Sequence, residues 1–242
     1  MYNYFALHYD ELTENVDYEV RSDYISGFFN KLGISHHASL LDLACGTGTM
    51  SLLFKEKGYN VIGIDLSSEM LSVADNKSNG KIPFLKAEMQ NFSLTEPVDA
   101  CVCCLDSINH LNSLHDAEMT FECVYNSLKE NGIFIFDVNT VYKHQNILAD
   151  NCFVFDEKNY FLAWDNELID NHSVRIILDF FVYNGTSYDR YSEEFVETAF
   201  ETEALSASLE PYFEVLGIYD DLSSKKPKAD SERLYFVCKR KH

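Results

Sequence analysis

The stretch Leu40-Leu41-Asp42-Leu43-Ala44-Cys45-Gly46-Thr47-Gly48-Thr49-Met50 decides how this chain is read. It opens as an apolar run, turns at two glycines and continues with helical spacing. A strand that ends in such a turn points the free N–H groups of the next helix at whatever lies beyond the strand end. In an open α/β sheet that is where a nucleotide-like ligand sits. Gly46 and Gly48 let the backbone pass where a Cβ would clash with the ligand. The dinucleotide fingerprint G-x-G-x-x-G asks for a third glycine, and Ser51 stands there instead. A pyrophosphate therefore suits this turn poorly.

Working outward, the spacing predicts a helix over 17–32, with Val20, Tyr24, Ile25, Phe28, Phe29 and Leu32 on one side and Gly33 as its stop. The first strand is read at 38–45 and is followed by a helix at 47–57 that Gly58 ends. A second strand, 60–66, closes on an acid, Asp65. Ser67 or Ser68 caps the next helix. Further strands are read at 82–87, 98–105 and 132–138, with a helix at about 115–130. Such alternation calls for a parallel, doubly wound α/β sheet with right-handed crossovers. Over 152–200 the helical period disappears and extended runs take over. Asn171 and the Asn184-Gly185 pair mark turns between them, so a small antiparallel sheet is expected. A helix at 202–210 and strands at 213–219 and 232–239 close the chain. The expected division is a core of 1–150 and 201–242 carrying an insert of 151–200.

The 242 residues are 46% hydrophobic, enough for a sizeable core, and the formal net charge is -20. That balance argues against nucleic acid and against anionic membranes as partners. Lys225, Lys226, Lys228, Lys239, Arg240 and Lys241 read as a solvated end. The opening MYNYFALHYDEL has neither a basic n-region nor an apolar h-region, and no apolar run nears the ~20 residues of a membrane span, so a cytoplasmic location is expected. The seven cysteines are then reduced thiols. Cys101, Cys103 and Cys104 fall in an apolar run and match no zinc spacing, so no metal is expected.

LDLACGTGT, followed by GIDLSSEML, resembles the first two signatures of class I S-adenosylmethionine-dependent methyltransferases. The opening YNYFALHYDEL with VDYEVRSDYI, the insert and the ending YDDLSSKKPKADSERLYFVCKR resemble a bacterial small-molecule branch that includes glycine N-methyltransferase and amino-sugar N-methyltransferases. The resemblance implies a Rossmann-like, seven-stranded, mostly parallel sheet, with the antiparallel insert roofing the active site. S-adenosyl-L-methionine is the implied cofactor and a small molecule the implied methyl acceptor.

Site residues follow from the resemblance one by one. Asp42, Ala44, Gly46 and Gly48 lie in the first signature. A carboxylate at Asp65 is placed to accept two hydrogen bonds from ribose hydroxyls, or else it is a helix N-terminal acid favoured by the dipole. Leu66 and Met70 are implied to pack on the adenine, with Glu88 or the Met89 N–H at its edge. The Leu105 carbonyl is implied to face the ligand's ammonium. Arg21 is implied to grip the ligand's carboxylate, or is a surface cation. Tyr4 or Tyr9 is read as a lid whose ring contributes about 0.5–2 kcal/mol beside a sulfonium, or as a ring that docks the first helix. Asn109 and His110 are the acceptor-side candidates, with His110 as the base if one is used. An amine acceptor needs no strong base, whereas an oxygen acceptor does. Nitrogen is the expected target, with an O-methyltransferase or a non-catalytic S-adenosylmethionine- or nucleoside-binding module as alternatives. The oligomeric state and the acceptor's identity are not written in the chain.

Overall fold

The structure is a computed structural model that describes residues 3–13, 16–158 and 160–242, without the side chains of residues 3–5 and 12. Helix α1 spans Asn3–Leu12, and α2 spans Tyr18–Leu32, which ends at Gly33 in the left-handed region. Then follow β1 (Ser39–Leu43), α3 (Thr49–Glu56), β2 (Asn60–Asp65), α4 (Ser68–Ser78), β3 (Phe84–Lys86) and β4 (Val98–Cys103). A 3-10 turn over Ser107–His110 leads to α5 (Leu114–Ser127) and β5 (Leu128–Asn139). A short helix α6 (Val141–Lys143) and a π-turn (His144–Leu148) open the second sheet, which consists of β6 (Cys152–Asp156), β7 (Tyr160–Leu168), β8 (Ser173–Tyr183) and β9 (Tyr188–Thr198). The chain closes with α7 (Thr202–Leu209), β10 (Phe213–Asp220) and β11 (Arg233–Arg240).

The large sheet has seven strands in the order β10-β11-β5-β4-β1-β2-β3. Its central pairs are parallel, and β11 runs antiparallel to both β5 and β10. Strand alternation buries both faces. Phe134 and Phe136 of β5 join Leu41, Cys101, Cys103 and Phe121 on one side. Ile133 and Ile135 join Leu40, Val102, Phe29 and Phe54 on the other. The three cysteines of the β4 run are core side chains. Chain order reverses between β1 and β4, and at such a reversal diverging connections leave a crevice at the strands' carboxyl ends.

The antiparallel sheet keeps its own apolar face, built on Leu162, Val174, Ile176, Leu178 and Phe180. Its Asn184 turn works as read: Asn184 Oδ1 accepts the N–H groups of Thr186 (3.1 Å) and Ser187 (2.9 Å). The β7–β8 turn is held instead by Asp170, whose Oδ1 accepts from the N–H groups of His172 and Ser173, both at 2.8 Å.

Two helical segments stand where the sequence reading places no element, and the start of β5 differs from that reading. Residues 3–12 form a helix. Strand β5 starts at Leu128 rather than 132, because buried Leu128 already pairs with Val98 and a bulge containing left-handed Asn131 rejoins the register at Ile133. Residues 141–148 are helical, with Thr140 capping by accepting from the Lys143 N–H at 3.1 Å. No helix among the described residues is long and apolar enough to cross a membrane.

Candidate active site

The crevice starts at the first glycine turn. Gly46 and Gly48 have φ of 53° and 75°, and Ala44 shares the left-handed region at 57°. A Cβ on Gly48 would lie 2.9 Å from the Ala74 Cβ, so packing as well as backbone geometry demands glycine there. A Cβ on Gly46 would meet nothing within 4 Å, which leaves open space in front of the loop. Asp65 closes the loop's other side. Its Oδ2 accepts the Gly46 N–H and its Oδ1 the Ser67 N–H, each at 2.8 Å. Burial raises the Asp65 pKa, against the opposing pull of these N–H groups. Asp42 lies beneath the loop, 1% exposed, and accepts from Ser51 Oγ of α3 at 2.5 Å. Burial pushes its pKa up to about 7, opposed by the Ser51 bond and reinforced by the Asp65 charge. Asp42 thus ties β1 to α3, and any part it has in ligand binding passes through the loop.

Leu66 is exposed at the mouth and Met70 is buried behind it. Glu88 is exposed, and its backbone bridges to Asn91. Met89 packs on the core, 3.9 Å through its sulfur from Cys103 Sγ. Arg21 reaches the carboxyl end of the sheet, where Nη1 donates to the Tyr235 hydroxyl (2.8 Å) and to Asp221 (3.1 Å). Its Nε is buried without a hydrogen-bond partner. An open glycine cradle, an acid at the end of β2 beside it and an orphaned guanidinium N–H suit a ligand with a nucleoside at one end and a carboxylate at the other.

Helix α1 lies across this crevice. Asp10 accepts from Thr47 Oγ1 (2.6 Å) and Thr49 Oγ1 (3.1 Å) and pairs with Lys77 (2.5 Å). The next residue back, Tyr9, is half-buried. Burial and the nearby charges of Tyr18, Asp106, Asp65 and Asp10 raise its pKa well above the usual phenol value. Tyr9 therefore lies within electrostatic range of both Asp65 and Asp106. The side chain of Tyr4 lies outside the described residues.

The far end of the crevice is built by side chains. Leu105 and Asp106 follow β4 with φ of 58° and 52°. Asp137 of β5 accepts both of their N–H groups, at 2.8 and 3.0 Å. Arg233 of β11 donates to Asp137 and to Asp106 Oδ1, the latter at 2.8 Å. Asn139 donates to Asp106 Oδ2 (2.7 Å) and Glu197 (3.2 Å), and Lys143 donates to Asn139 Oδ1 (3.0 Å). Burial alone would raise the Asp106 pKa, but the Arg233 and Lys143 charges hold it down at about 2.

Asn109 corrects an expectation. It is 0% exposed, its amide donates to the carbonyls of Asn139 (3.1 Å) and Thr198 (3.0 Å), and its Oδ1 accepts from the Asn139 N–H (2.9 Å). An amide with all these bonds made inside the core pins β5 and β9 together and does not face an acceptor. His110 is exposed, and its ring lies against Phe195 of β9 with centroids 5.2 Å apart. Its charge, when present, acts on both Asp65 and Asp106.

Sequence reading passed over Asp10, Asp106, Asp137, Asn139, Phe195 and Arg233. The signal for two of them was visible. A carboxylate inside IFDVNT, at the carboxyl end of an apolar strand, has to be held by hydrogen bonds there.

Comparison with known proteins agrees with this geometry. Residues 40–132 match a family described as a methyltransferase domain. A putative methyltransferase, YqeM of Bacillus subtilis, is 35% identical over 245 aligned positions, covering 99% of this chain and 97% of that protein. A glycine/sarcosine N-methyltransferase of Aphanothece halophytica is 29% identical over 73% of this chain and 68% of its own length. The crystal structure of an S-adenosylmethionine-dependent methyltransferase from Clostridium acetobutylicum superposes with a TM-score of 0.90 at 35% identity, covering 98% of each chain. With its mostly parallel seven-stranded sheet and glycine turn, the chain belongs to the class I S-adenosylmethionine-dependent methyltransferases, and S-adenosyl-L-methionine is its cofactor.

Proposed function

We propose that the protein methylates a nitrogen atom of a small molecule. The cofactor, when bound, supplies an electrophilic methyl group, so the hard chemistry is its own. The chain's task is to hold donor and acceptor in line, and positioning of this kind supplies about 7–11 kcal/mol. On this reading Gly46 and Gly48 let the loop approach the donor, Asp65 takes the ribose hydroxyls and Arg21 the carboxylate. Leu66, Met70, Glu88 and Met89 surround the base, and the Leu105 carbonyl takes the ammonium. Tyr9 and α1 cover the donor. Residues 151–200 form the roof, with the inward aromatics of β9 over the acceptor.

The observation that carries nitrogen rather than oxygen is the state of His110. Among the described residues no carboxylate lies within hydrogen-bond reach of its ring, which rests on Phe195. An oxygen acceptor calls for a general base positioned at its hydroxyl, with a pKa near the working pH. An amine with a pKa near ~10 needs only desolvation to expose its lone pair. The N-methyltransferase among the relatives supports the same reading.

The test supplies methyl-13C-labelled S-adenosylmethionine with a panel of small amines and their hydroxyl analogues. The expected product carries the label on nitrogen, with S-adenosylhomocysteine released in equal amount. Label on oxygen, or no turnover across the panel, contradicts the proposal.

A further inference from the structure

Two consecutive residues with side chains, Leu105 and Asp106, hold left-handed backbone at the carboxyl end of β4. L-residues adopt that conformation singly and at a cost, and a consecutive pair persists only where its surroundings over-determine it. Here the surroundings are two side chains from other strands. Asp137, 0% exposed near the carboxyl end of β5, gives one oxygen to each of the two N–H groups. Arg233, with a side chain 11% exposed, bridges Asp137 and the Asp106 carboxylate itself. The Arg233–Asp137 pair joins the neighbouring strands β11 and β5, and both residues have a further partner in the turn. Their polar atoms also converge on the turn, where Asp137 accepts two N–H groups and Arg233 holds the Asp106 carboxylate, so the pair does more than tie β5 to β11.

We infer that Asp137 and Arg233 are positioning residues for methyl transfer, a clamp that sets the Leu105 carbonyl and the Asp106 carboxylate at the reacting end of the crevice. The inference rests on the proposed placement of donor and acceptor and goes beyond it. It assigns two buried residues that touch neither ligand. It also explains the economy of the site: one buried carboxylate organises two N–H groups, and one guanidinium neutralises that carboxylate while aiming a second. Removing the guanidinium leaves two facing carboxylates, which repel each other and release the turn.

The test uses S-adenosylhomocysteine titration by calorimetry together with a thermal melt. Arg233→Met is expected to weaken binding by roughly ten- to a hundred-fold. Arg233→Lys, which keeps the charge without the fork, is expected to lose about tenfold and covers the case in which Arg233→Met does not fold. A second substitution, Leu105→Gly, separates positioning from folding. Glycine takes positive φ freely, so in the Arg233→Lys background it is expected to restore several-fold of the lost affinity while the melting temperature stays low. Unchanged affinity in Arg233→Lys, or no recovery on adding Leu105→Gly, overturns the clamp. Failure of the unaltered protein to bind S-adenosylhomocysteine contradicts the donor site instead.

Discussion

The two ends of the crevice are built by different means. At β1 and β2 the site is backbone: left-handed glycines and one acid that accepts two loop N–H groups within a span of 22 residues, Gly46 to Ser67. At β4 and β5 it is a side-chain network drawn from Asp106, Asp137, Asn139, Glu197 and Arg233, with left-handed residues that carry side chains. A backbone site has to be written as a short contiguous motif, since only glycine gives the required geometry. A network site is free to draw each member from a different strand. On the proposed placement the first end takes the donor and the second faces the acceptor.

Four substitutions sharpen or break that contrast. The largest effect is expected at the backbone end. Gly48→Ala meets both φ of 75° and the Ala74 Cβ at 2.9 Å, and urea unfolding is expected to show a loss of about 2–5 kcal/mol. A loss under ~1 kcal/mol would mean that the loop yields easily.

Asp42 comes next, through pH. Its pKa is raised to about 7 in the folded chain from the ordinary carboxylate value of 3.8. Between those values the folded state keeps a proton that the unfolded state has released. The group's contribution is thus most favourable below the unfolded pKa, declines as pH rises through the window and levels off above about 7. Asp42→Asn is expected to remove up to about 4 kcal/mol of that decline, read as a flatter stability profile. An unaltered slope would place the titration elsewhere.

Asp65→Asn is expected to weaken S-adenosylhomocysteine binding by about 1–3 kcal/mol, as loss of hydrogen bonds to a charged acceptor does. Equal affinity would reduce Asp65 to a loop brace. The smallest effect belongs to the acceptor end. Phe195→Ala removes the ring contact with His110 and is expected to raise the acceptor's KM about two- to twelvefold, the equivalent of about 0.5–1.5 kcal/mol, with S-adenosylhomocysteine affinity unchanged. A parallel loss of donor affinity would merge the two ends.

The same contrast explains what could be read from the sequence. The alternation through β5 and the switch to period two over the insert gave the α/β architecture, because apolar periodicity reports which face is buried. LDLACGTGT and Asp65 were legible as neighbours because strand ends meet in an open sheet. Asn109 misled because a polar residue in a loop reads as available, and burial depends on Asn139 and Thr198, distant in the chain. Arg233 was invisible for the opposite reason: in SERLYF it reads as a strand-edge cation, and its carboxylates stand about a hundred residues away. Asp10 was unreadable until residues 3–12 were known to be a helix lying on the glycine loop.

The most direct test is a crystal structure with S-adenosylhomocysteine bound. The account predicts the ribose hydroxyls within about 3.2 Å of Asp65 and the carboxylate at Arg21, with the sulfur directed at the turn held by Asp137 and Arg233. A ligand bound elsewhere, for example in the groove lined by residues 112–114, 170–173 and 198–201, would contradict it.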